Sequence, residues 1–165
     1  MCGILCTTNY DYLPELYRLN RVRGEYSAGM LVLYKDGYLL QKQKDPFTSF
    51  PKIDGATYIV HTRAPTSKTT SFAAETSHPF IAENIVSFHN GIISNTQCLD
   101  ADWPCNTNLV DSSYIPHILN TIRRVRGNIT IHDWSIKDCL ECLEGIYGVI
   151  IADITHSEDV YVARC

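Results

Sequence analysis

The stretch Gly29-Met-Leu-Val-Leu-Tyr34, the break Lys35-Asp36-Gly37 and the return Tyr38-Leu-Leu40 constrain the fold of this chain more than any other segment. Short apolar runs of this kind suit a pleated, buried surface, and Asp-Gly is a favoured two-residue hairpin turn. The pattern predicts an antiparallel hairpin with Asp36-Gly37 at its tip. Further strands are expected over Cys2–Thr7, Thr57–Thr62, Asn84–His89, Ile146–Ile154 and Val160–Ala163. Helical spacing of Leu13, Leu16 and Tyr17 predicts a helix over Leu13–Arg21. A second opens at Asp111 and runs to about Arg124, with acid first and Arg123 and Arg124 last, the order that suits the helix dipole. A third is predicted over residues 135 to 143, capped by Ser135 and followed by Gly145 as C-cap. Residues 64 to 80 and 96 to 108 read as loops. The order implies one α+β domain over residues 1 to 165, its helices covering a mostly antiparallel sheet.

Charge and cysteine usage narrow the function. Fourteen Lys and Arg against eighteen Asp and Glu give a net charge of −4. That balance offers no basic field for nucleic acid or for an anionic membrane, and neither partner is expected. No apolar run is long enough to suggest a transmembrane helix. Met1-Cys2-Gly3 lacks the regions of a secretory signal, and seven cysteines are an odd number, so a reduced cytoplasmic protein is expected. Cys139 and Cys142 form a C-x2-C pair, but within an amphipathic helix they read as small core residues and not as zinc ligands. Neither a metal nor a cofactor is expected.

Cys2 carries the chemistry. A small second residue favours removal of Met1, which would leave Cys2 with an α-amine beside its thiol. The amine has an unperturbed pKa of about 7.7–8.0 and the thiol about 8.5. One residue would then supply both nucleophile and base.

Met1-Cys-Gly-Ile4, Arg23-Gly-Glu-Tyr-Ser-Ala-Gly29, His61-Thr-Arg-Ala-Pro-Thr66, Ser77-His-Pro79, Phe88-His-Asn-Gly-Ile92 and Asp111 follow in one order, closing with Leu143-Glu-Gly-Ile-Tyr-Gly-Val149 and Val160-Tyr-Val-Ala-Arg164. Together they resemble the glutaminase domain of class II glutamine amidotransferases, which are N-terminal-nucleophile hydrolases. The resemblance implies a four-layer αββα sandwich, here trimmed at its C-terminus and without a synthase domain. It implies that Cys2 attacks the side-chain amide of L-glutamine, forming a γ-glutamyl thioester and releasing ammonia. Asn90 and the Gly91 N–H would face the oxyanion. Arg63 and Thr66 would hold the α-carboxylate, Asp111 would accept from the α-ammonium, and Arg23 would order the nucleophile loop. Taken alone, Asn90-Gly91 also reads as a turn after a strand and Asp111 as a helix cap. His61 and His78 are read as structural, and His89, His117, His132 and His156 as ordinary polar residues. Cys6, on the strand face of Cys2, is expected to pack beneath the site.

Ala64 and Ser67 depart from the His-Thr-Arg-Trp-Ala-Thr-His run of relatives that carry a synthase domain. Closure over glutamine is therefore expected to use other residues, Phe72 or Phe80. Ammonia is expected to pass to a separate synthetase or amidating enzyme. Two alternatives stay open: a catalytically silent glutamine-binding or interaction subunit, and an amide hydrolase with no acceptor.

Overall fold

The computed structural model describes residues 2–64, 74–102, 110–127, 131, 133–156 and 159–165. They form two compact units, Met1–Pro79 and Phe80–Cys165.

The first unit is a four-stranded antiparallel sheet in the order β1-β4-β2-β3, made of β1 (Gly3–Thr7), β2 (Ser27–Tyr34), β3 (Gly37–Gln43) and β4 (Thr57–Arg63). Helix α1 (Leu13–Arg21) has the expected bounds. Its buried Leu13 and Tyr17 join Leu5, Met30, Val32, Phe47, Tyr58 and Val60 in one core. The Phe47 backbone N–H donates to the Tyr17 hydroxyl at 2.8 Å, so that buried aromatic keeps a polar partner. The hairpin forms, but its tip is Lys35-Asp36, because Tyr34 pairs with Gly37. Gly37 is thus the first residue of β3, and the tip falls one place earlier than the turn dipeptide suggested.

The second unit is also antiparallel, in the order β5-β6-β7-β8, with β5 (Phe80–Ala82), β6 (Ile85–Ile93), β7 (Gly145–Asp153) and β8 (Val160–Arg164). Its helices are α2 (Thr96–Asp102), α3 (Tyr114–Val125) and α4 (Asp133–Glu141), and a 3-10 turn over Asp111–Ser113 leads into α3. Ile85, Ile93, Tyr147, Val149 and Ile151 share a core with Ile115, Ile118 and Leu119 of α3 and Cys139 of α4. The helix-covered face of this sheet is therefore the one that carries the odd-numbered residues of β6 and β7.

Four expectations are corrected here. β6 runs on to Ile93, four residues past its expected end. Thr96–Asp102, read as loop, is helical because Leu99 is buried in the core and the Asn95 side chain ties the helix start to the Cys142 carbonyl and the Glu144 N–H. Ser135 is fully buried and lies inside α4, which starts at Asp133, so it is not the residue before the helix. Gly145 opens β7 opposite Ile93 and is not a C-cap. Within the described residues, no helix is long and apolar enough to cross a membrane.

Candidate active site

The first unit places three of the predicted residues at one end of its sheet. Gly3 pairs with Thr62, so the antiparallel register sets the next residue, Cys2, across from Arg63; on the other side of β4, Ser27 pairs with Arg63. Cys2 is half-buried. Arg23 Nε donates to the Cys2 carbonyl at 2.8 Å, holding the backbone of that residue. The turn after α1 can come this close because of Gly24: a Cβ there would stand 2.3 Å from the Ala64 nitrogen and 2.4 Å from the Arg63 carbonyl carbon. Arg63 Nη1 donates to the Thr76 carbonyl at 2.7 Å, which fixes one arm of the guanidinium. Thr66 and Ser67 lie outside the described residues, as does Phe72. His61 and His78 are buried, with ring centroids 4.0 Å apart, as suits structural residues. Cys6 is exposed, so it does not pack beneath Cys2. Cys6 directly follows buried Leu5, and strand alternation turns it outward.

The second unit brings Asn90, Gly91 and Asp111 together. Asn90-Gly91 is no turn: it lies inside β6, Asn90 paired with Gly148 and Gly91 with Tyr147. Gly91 has φ +149°, and a Cβ there would meet the Ile146 carbonyl oxygen at 2.2 Å and the Tyr147 Cα at 2.6 Å. No other residue type fits that backbone without displacing β7. Asp111 opens the 3-10 turn, and its carboxylate accepts from the Ser112 N–H at 2.9 Å and from the Ile93 N–H at 2.9 Å. Asp111 is thus not the cap of the turn, which is Val110; its side chain ties the turn to β6.

His89 is not the ordinary polar residue that the sequence suggests. It is 2% exposed, and Nδ1 lies 2.6 Å from the buried Ser112 hydroxyl. Burial pushes its pKa below the ordinary value of 6.5, with the Asp111 charge acting the other way. The available signal was strand alternation: if Asn90 faces one side, His89 faces the other, toward the helices. Phe80 is buried in β5 and is not placed to close over a ligand as a loop residue. Cys139 is fully buried and its thiol is pushed up by burial, as a core residue should be.

No family model matches the chain. A glutamine–fructose-6-phosphate aminotransferase (isomerizing) of Idiomarina loihiensis is 31% identical over 182 residues, spanning 99% of this chain and 29% of the relative. The protein of the same name in Salmonella typhi is 31% identical over 180 residues, with the same coverage. Over 99% of its length the chain is thus similar to glutamine-dependent aminotransferases. It spans under a third of the length of these amidotransferase relatives. Among solved structures, the glutamine phosphoribosylpyrophosphate amidotransferase of B. subtilis shares the fold with a TM-score of 0.69 at 20% identity, over 99% of this chain and 36% of that one. An allosteric regulatory enzyme of purine biosynthesis gives 0.68 at 20% identity, over 92% of this chain and 35% of its own. The amidotransferase fold is therefore a finding, and it takes in both units.

Proposed function

We propose that this chain hydrolyses L-glutamine to glutamate and ammonia through a thioester on Cys2. The observation that carries the reading is the register that sets Cys2 opposite Arg63, with Arg23 gripping the Cys2 carbonyl. A nucleophile and a carboxylate-binding guanidinium then share one sheet end, which suits a substrate with an amide at one terminus and a carboxylate at the other.

The step sequence balances without a cofactor. With Met1 removed, the Cys2 α-amine takes the thiol proton and the sulfur adds to the glutamine side-chain carbonyl carbon. The oxyanion is met by the Asn90 amide and the Gly91 N–H, donors of the kind that strengthen as charge develops. The C–N bond breaks as the α-ammonium protonates nitrogen, and ammonia leaves. Water, deprotonated by the same amine, adds to the thioester; the C–S bond breaks and glutamate departs. Arg63 and Thr66 take the α-carboxylate and Asp111 the α-ammonium.

We read the ammonia as passing to a separate synthetase or amidating enzyme in the cytoplasm. Pull-down from the native lysate should recover such an enzyme; high glutaminase turnover with no partner would count against it. The glutaminase reading is tested by intact mass before and after treatment with a glutamine-mimicking diazo-ketone. Loss of Met1 and one adduct, absent in Cys2→Ala, is the expected result. A processed Cys2 that takes no adduct would instead indicate a silent glutamine-binding subunit.

A further inference from the structure

Two hydrogen-bonded ties join β6 to the start of α3, and they flank the Asn90-Gly91 pair. On one side, Ile93 N–H donates to Asp111 Oδ2 at 2.9 Å. On the other, His89 Nδ1 lies 2.6 Å from Ser112 Oγ, which lies 3.3 Å from Asp111 Oδ1. All of these groups sit in the second unit. His89 and Ser112 are 2% and 4% exposed, so water does not compete for the bonds.

A serine hydroxyl has one proton to give. If Ser112 spends it on the Asp111 carboxylate, which can only accept, the short contact to His89 must be an Nδ1–H donating to Ser112 Oγ. The chain then runs in one direction, imidazole to hydroxyl to carboxylate. Every donor in it points toward the Asp111 carboxylate and holds it in one rotamer.

We propose that His89 and Ser112 are positioning residues that orient Asp111 as the acceptor for the substrate's α-ammonium, and so set the selectivity for a free amino-acid head. This rests on the glutaminase reading above. Neither residue touches substrate; both act through Asp111.

The test compares kcat/KM for L-glutamine with that for 4-carbamoylbutanoate, the same molecule without its α-ammonium, in the full-length processed chain. Wild type should prefer glutamine strongly. Ser112→Ala should cut that preference about tenfold, chiefly through the glutamine KM, and Ser112→Thr should restore it because the hydroxyl returns. A merely structural role would lower both substrates together and leave the ratio unchanged, which would overturn the proposal. A wild type that turns over glutamine with no preference would overturn the role of Asp111 as well, and one with no turnover would overturn the glutaminase reading itself. Independently of activity, long-range 1H–15N spectra should show His89 as the Nδ1–H tautomer. The Nε2–H tautomer would overturn the donor order.

Discussion

Gly91 is where the backbone leaves least freedom. Its φ of +149° and the 2.2 Å approach of a Cβ to the Ile146 carbonyl mean that Gly91→Ala must push β7 away or twist β6. We expect a loss of about 1–3 kcal/mol from the backbone conformation alone, and a further cost from the contact. Urea unfolding measures the loss, and glutaminase activity should fall with it. Asn90→Ala leaves the β6 backbone conformation unstrained but removes the side-chain donor, so kcat should drop about 10²–10³-fold. The two variants together separate architecture from chemistry. Both residues were legible in the sequence, because Phe88-His-Asn-Gly-Ile92 stands out beside Cys2. His89 was not: a buried histidine has no signature of its own until its strand face is known, and Ser112 is one serine among many.

At the scale of elements, the end of α3 is fixed by a buried cation. Arg123 is almost fully enclosed; its guanidinium donates to Asn120 Oδ1 at 2.8 Å, and it lies 3.3 Å from Glu83 and 3.8 Å from the buried Asp153. Asp153 also accepts from Asn84, from the Thr155 N–H and from the Thr155 hydroxyl, so the β5–β6 turn, the end of β7 and α3 meet on one carboxylate. Arg123→Ala strands that charge in the interior and should cost about 3–5 kcal/mol in urea unfolding. Arg18→Ala, at an exposed ion pair with Glu15, should leave the midpoint unchanged. Periodicity found α1 to the residue and most strands to within three residues, since amphipathic patterns report burial directly, but it ended β6 four residues early and gave no strand at β5. It missed α2 because Thr96–Asp102 buries mainly Leu99 and depends on Asn95 reaching across to residues 142 and 144. That anchoring is tertiary, and local pattern carries none of it.

For the molecule as a whole, stability should weaken on mild acidification. Burial lowers the His89 pKa in the folded state below 6.5, and His117 shifts the same way for the same reason. As pH falls below about 6.5, the unfolded chain binds protons that the folded chain refuses, so unfolding becomes easier. The contribution is fully present above that pH and lost on descent. Urea midpoints at pH 7.5, 6.5 and 5.5 should decline, and His89→Asn should flatten the decline. The sequence carried the class of the whole through its ordered motifs, whereas the division into units at Pro79 had no marker in composition. The two ties on either side of Asn90-Gly91 also bear on how such a chain can drift over generations. Ile93 N–H and the His89 ring must both turn toward α3, and strand alternation lets them do so only with their present spacing. Connecting segments can gain or lose residues at little cost. A single insertion or deletion between positions 89 and 93 would reverse one of the two, so this interval should keep its length wherever relatives retain both ties.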